Sequence, residues 1–113
     1  MIKINGKILS DNPFLNHEKI QDLVFYDAPL AVLYKYENEY YVWWWLDMDG
    51  VCNRHGVFKT TIKKLESWRE FDYSWDKLKD AIDSDLSYII NLDTSGDFVV
   101  GWEVTSDVIL DYE

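Results

Sequence analysis

Few of the side chains that can do chemistry stand near one another in this sequence. Cys52-Asn-Arg-His55 supplies one thiol and one imidazole, two ligands short of a structural zinc site. On a strand, residues three apart point to opposite faces, so Cys52 and His55 cannot act as nucleophile and base. His17 and Glu18 are adjacent, and on a helix, where this segment is placed below, neighbours diverge by about 100° and an acid is separated from its base. Asp47-Met-Asp-Gly50 resembles the opening of a calcium loop, but its glycine stands at the fourth position instead of the sixth that an EF-hand requires. A hairpin turn is the expectation there. No P-loop, dinucleotide fingerprint, H-E-x-x-H or G-x-S-x-G occurs. These residues predict no catalytic centre, no cofactor and no metal, and a binding protein in place of an enzyme.

Two features are suited to binding. The first is charge: 21 acidic and 11 basic residues give a net charge of -10. Residues 1–58 contribute -3 and residues 59–113 contribute -7, and beyond Lys79 nine acids follow without a base. Such a field repels nucleic acid and anionic membranes and attracts cationic protein surfaces. Lys59, Lys63, Lys64 and Arg69 are too few, and too interleaved with Glu66 and Glu70, to grip a phosphate backbone. The second feature is Tyr40-Tyr-Val-Trp-Trp-Trp-Leu46. As a strand it presents Tyr40, Val42, Trp44 and Leu46 on one face and Tyr41, Trp43 and Trp45 on the other. Both faces are aromatic, as in a strand covered on both sides, or one row lies open as an interface that Tyr34 and Tyr36 extend.

The elements that must position these residues follow from local pattern. Asn5-Gly6 between Met1–Ile4 and Lys7–Leu9 predicts a small hairpin. Ser10-Asp-Asn-Pro13 predicts the start of a short helix running to Leu23. Leu30–Tyr36, Glu39–Leu46 and Val51–Lys59, separated by turns at Glu37-Asn38 and Asp47–Gly50, predict an antiparallel meander. Thr60 or Thr61 caps a helix with Ile62, Leu65, Trp68 and Arg69 on one side, and Ser74 starts a second with Trp75, Leu78 and Ile82 recurring. Leu86–Leu92 and Asp97–Val104 flank the turn Asp93-Thr-Ser-Gly96, and Val108–Leu110 adds an edge strand or simply packs. The expected fold is one α+β domain over residues 1–113: an antiparallel sheet of about five strands or more with two to three short helices. A single cysteine excludes an internal disulfide, and Met1–Gly6 lacks the basic and apolar segments of a signal peptide. No apolar run approaches the ~18 residues of a membrane span. A cytoplasmic protein is expected.

Leu23-Val-Phe-Tyr-Asp-Ala-Pro-Leu30, the Tyr/Trp-rich hairpin and Ser74-Trp-Asp-Lys-Leu-Lys-Asp-Ala-Ile82 resemble a group of small uncharacterised bacterial and phage domains with a Phe-Tyr-Asp-x-Pro-Leu opening, over about residues 23–104. The resemblance implies a fold and no chemistry. In size and charge the chain also resembles acidic phage anti-defence proteins, anti-CRISPR proteins among them, and bacterial immunity or antitoxin proteins. That resemblance implies an inhibitor that occupies the cationic groove of a basic partner such as a nuclease or another nucleic-acid-binding effector. Asp76, Asp80, Asp83, Asp85, Asp93 and Asp97 would steer association, with Trp43, Trp45 or Trp75 as anchor. The alternatives are a small-ligand module with an aromatic pocket between sheet and helices and a homo-oligomeric structural subunit.

Overall fold

The computed structural model describes residues 4, 6–14, 17–26 and 28–112, with 25, 26, 28, 29 and 49 described by their backbone alone. Seven strands form one antiparallel sheet: β1 (Lys7–Leu9), β2 (Glu18–Tyr26), β3 (Ala28–Tyr36), β4 (Glu39–Asp49), β5 (Cys52–Thr60), β6 (Leu86–Leu92) and β7 (Phe98–Thr105). Their order across the sheet is β1-β7-β6-β5-β4-β3-β2. From β2 to β7 each strand pairs with its successor, the connectivity that tight hairpins permit. Between β5 and β6 the chain makes α1 (Ile62–Arg69) and a 3-10 helix (Trp75–Asp80), and α2 (Ser106–Leu110) follows β7.

The meander is built as its residues dictate. Tyr36 pairs with Glu39 across Glu37 and Asn38, both left-handed (φ 49° and 67°), which gives the two-residue turn matched to strand twist. Thr61 caps α1, its hydroxyl accepting from Lys64 N–H at 3.1 Å, and Ser74 does the same for the 3-10 helix through Asp76 N–H. The helical layer covers one face of the sheet. Trp68 is fully buried there and donates its indole N–H to the Ser74 carbonyl at 2.8 Å, while Trp44 lies between Trp68 and Trp75 at ring separations of 5.7 and 5.2 Å. Ile109 of α2 packs against Gly56, where an added Cβ would come within 3.3 Å of its side chain.

The N-terminal region corrects one expectation. The helix expected over Ser10–Leu23 is absent among the described residues of that span: residues 18–26 run as strand β2 along β3, from Glu18 opposite Lys35 to Tyr26 opposite Ala28. The cap-like residues close a local turn instead, with Asn12 Oδ1 accepting from Phe14 N–H at 2.9 Å. The ladder of β3 offers segment 18–26 partners that outweigh a local helical preference. Irregular register and the exposed pair Lys19–Asp22 (2.9 Å) leave β2 a bent, charged sheet edge, poor for further pairing. Of the N-terminal hairpin, residues 1–3 and 5 lie outside the described residues, and Lys7–Leu9 pairs with β7. Gly6 permits that contact, since a Cβ there would stand 2.6 Å from the Glu103 carbonyl oxygen.

One turn also shifts. β4 continues past Asp47–Met48 to Asp49 and the reversal falls on Gly50-Val51. Asp47 is held opposite the buried Arg54, with an ion pair of 3.6 Å, and its other oxygen accepts from the Tyr112 hydroxyl at 2.8 Å. Val108–Leu110 belongs to α2 and is not an edge strand, because β1 already occupies the free side of β7. Among the described residues no helix is long and apolar enough to cross a membrane.

Candidate functional site

The alternation of β4 sends Trp43 to the sheet face opposite the helices, where its neighbours in register are Val32 on β3 and Val57 on β5. One step along, Trp45 stands opposite His55. Tyr34, Tyr41 and Tyr88 complete an aromatic surface on this face. The chain leaves β1 at one edge of the sheet and enters β2 at the other, so the connection between them carries Phe14 and His17 onto that surface.

Phe14 is 2% exposed and touches four rings, with centroid separations of 4.8 Å to Tyr41, 5.0 Å to Tyr88, 5.5 Å to Tyr36 and 5.9 Å to Trp43. His17 lies nearly parallel to Trp43 (5.7 Å, 17°) and edge-on to Tyr34 at 4.4 Å. Its Nδ1 is 2.5 Å from the Phe14 carbonyl oxygen. A carbonyl only accepts, so Nδ1 carries the hydrogen and Nε2 is left as the ring's second polar atom.

Beside these contacts a cavity of about 260 Å³ remains between connection and sheet. Val32, Tyr34, Trp43, His55 and Leu92 line it from the sheet, His17 and Asn12 from the connection and Gly96 from the β6–β7 turn, so the pocket expected between sheet and helices lies instead on the face away from the helices. Two polar atoms here are unsatisfied. Trp43 Nε1 and His55 Nδ1 are both shielded from water and have no hydrogen-bond partner among the described residues. Trp43 is 5% exposed. Burial lowers the His55 pKa to about 4, so the ring is neutral over the physiological range. The same burial raises the Tyr34, Tyr41 and Tyr88 hydroxyls above their ordinary value. A buried donor or acceptor without a partner costs about 1–3 kcal/mol, a cost the fold carries at two residues that line this cavity.

The acidic residues are divided. Asp76 and Asp80 are exposed on the 3-10 helix, and Asp83 and Asp85 follow it, with Asp83 N–H bonded to the Lys59 carbonyl and the Asp85 carbonyl accepting from Ser106 N–H. Asp93 and Asp97 sit at the far end of β6, roughly 20 Å away at the rise of a strand. There Asp93 Oδ1 accepts from the N–H groups of Ser95 and Asp97, at 2.9 Å each, and serves its own turn. Asp83, Asp85 and Asp107 line a second, polar groove of about 410 Å³ together with Lys64 and Lys79, and Lys64 pairs with Asp83 at 3.7 Å. The three tryptophans also separate. Trp43 lines the cavity, Trp75 is packed between helices and sheet, and Trp45 donates to Asn53 Oδ1 at 3.1 Å.

Phe14, His17 and His55 were not legible in the sequence as parts of one site. The period-2 pattern of β5 sets His55 and Val57 on one face, which is a signal for which side His55 takes, but nothing local says what covers that side. Cys52 and His55 lie on opposite faces, as strand geometry requires. Among the described residues no group of three or more Asp, Glu, His or Cys side chains is arranged to hold a metal ion. No family model, curated protein or solved structure matches this chain.

Proposed function

We propose that this protein is a small-ligand-binding module whose site is the aromatic cavity between the β1–β2 connection and the sheet. One observation carries the reading: Trp43 Nε1 and His55 Nδ1, two buried and unpartnered ring nitrogens, belong to residues lining the same 260 Å³ cavity. Concave, mostly aromatic sites with a few convergent polar groups are the usual form of ligand pockets. The test is a screen of small fragments against the 15N-labelled chain, read at the Trp43 indole and His55 ring resonances. Saturable shifts at both are expected, and they disappear in Val32→Phe or Leu92→Phe, which fill the cavity from its lining. Fragments that shift only surface amides would sink the reading.

A second reading keeps the carboxylates as a docking surface for a cationic protein. It is supported by the groove at one end of the sheet, where Asp85 and Asp107 are exposed and, among the described residues, only Asp83 of the three lining acids has a salt-bridge partner. Asp76 and Asp80 stand on the preceding 3-10 helix, whereas Asp93 and Asp97 belong to the opposite end and would take no part in it.

A further inference from the structure

The described part of the β1–β2 connection, residues 10–14 and 17, is fastened to the sheet by rings. Phe14 rests on Tyr36, Tyr41, Trp43 and Tyr88, and His17 on Tyr34 and Trp43. Its hydrogen bonds close on itself: Asn12 Oδ1 accepts from Phe14 N–H and His17 Nδ1 donates to the Phe14 carbonyl, and among the described residues none joins it to the sheet. A segment held in this way lifts without breaking a ladder hydrogen bond, which places it at the low-energy end of local openings. We infer that the connection is an acid-released cover, closed over Trp43 and His55 at neutral pH and lifting from them as the pH falls, with His55 as the group that senses the proton. The device belongs to the fold and needs no ligand in the cavity.

The His55 cation and the closed cover exclude one another. An imidazolium carries hydrogen on both nitrogens. Nδ1 is shielded from water and has no hydrogen-bond partner among the described residues, so in the closed state a charged ring would bury an unpaired N–H there. No opposite charge offsets this. Trp45 and Ile90 stand opposite His55 on the neighbouring strands, and of the residues that line the cavity with it only His17 and Tyr34 titrate; among the described residues no carboxylate lines it. Asn12 and His17 wall that cavity from the connection, so lifting the connection opens this side of the ring to water, where the cation is solvated.

The direction of the response follows from the two states. Burial holds the closed ring to a pKa of about 4, against 6.5 for a hydrated one. Above pH 6.5 neither state takes up the proton, and the Phe14 and His17 contacts keep the cover closed. Between pH 6.5 and 4 only the lifted state takes it up, so the lifted-to-closed ratio rises with acidity, by about thirtyfold at pH 5. Below pH 4 both states are protonated and the gain stops.

Solvent exchange of the indole N–H groups in the 15N-labelled full chain tests the cover. Trp43 Nε1 is shielded beneath Phe14 and His17, whereas Trp68 is fully buried on the helical face with its N–H bonded to the Ser74 carbonyl. Corrected for the intrinsic effect of pH on exchange, Trp43 protection should fall about thirtyfold from pH 7.5 to pH 5. It should stay below that of Trp68 and be indifferent to urea beneath the unfolding transition, the mark of a local opening. His55→Gln should abolish the pH dependence and His17→Gln should retain it, while Phe14→Leu should lower Trp43 protection at both pH values. If His55→Gln does not fold, His55→Phe carries the same comparison. Trp43 and Trp68 exchanging at one rate with the same urea dependence would mean that only global unfolding uncovers Trp43, and overturns the inference. So does a pH dependence that is absent from the wild type or that persists in the His55 variants.

Discussion

At the scale of single residues, His55 is the most informative group. It stands on a central strand, faces Trp43 at 5.7 Å, and is pushed by burial from an ordinary value of 6.5 to about 4. The unfolded chain therefore takes up a proton at His55 between pH 6.5 and 4 that the folded chain refuses. Stability is unaffected by His55 above pH 6.5 and falls as the pH drops toward 4, by up to about 3 kcal/mol for a shift of this size. Urea denaturation of wild type and His55→Gln across pH 4–7.5 should show the wild type losing more stability on acidification than the variant, the carboxylates being common to both. Parallel curves would mean that the ring protonates freely in the native state. Arg54, its neighbour on the opposite face, is satisfied where His55 is not: it donates to Asn91 Oδ1 at 3.2 Å and to the Tyr112 hydroxyl at 2.8 Å, tying the end of the chain to the sheet.

At the scale of elements, the β1–β2 connection is what turns a sheet face into a site. Its Phe14 ring replaces water over four aromatic rings, and its His17 supplies a wall of the cavity. Phe14→Ala removes a fully packed aromatic side chain and should cost roughly 3 kcal/mol or more. Thermal denaturation checks this, with Phe71→Ala as the control. Phe71 is 49% exposed, so its loss should stay within about 0.5 kcal/mol. A Phe14 variant as stable as wild type would show that the connection rests on the sheet without holding it. The helical layer is secured on its own account by the Thr61 and Ser74 caps and by Trp68, so the two faces of the sheet are covered by independent means.

At the scale of the whole molecule, the net charge of -10 resolves into separate surfaces. Residues 59–85 carry six bases and seven acids, so the helical layer is close to balanced, and the excess lies mainly after it, on α2, on β7 and in the β6–β7 turn. If the groove of Asp83, Asp85 and Asp107 docks a cationic protein, Asp85→Lys with Asp107→Lys should abolish salt-sensitive capture of that protein from the native host. Asp93→Lys with Asp97→Lys, at the opposite end, should leave it intact. Equal loss in both variants would assign the effect to bulk charge. How much of this was legible in the sequence varies along the chain. Strands β3 to β7, the Glu37-Asn38 and Asp93–Gly96 turns and the caps at Thr61 and Ser74 are local matters of alternation, left-handed turn residues and side-chain hydroxyls, and the chain states them directly. Segment 10–26 is different, because Ser10-Asp-Asn-Pro13 satisfies helix and turn equally well, and the choice was made by the ladder of β3, a partner distant in sequence at its far end. The two aromatic faces of β4 were determined by the sequence through the period of a strand. What covers each, and therefore that Trp43 and His55 meet at a cavity with their nitrogens unpaired, only the tertiary structure decided, because it depends on a connection that crosses from one edge of the sheet to the other.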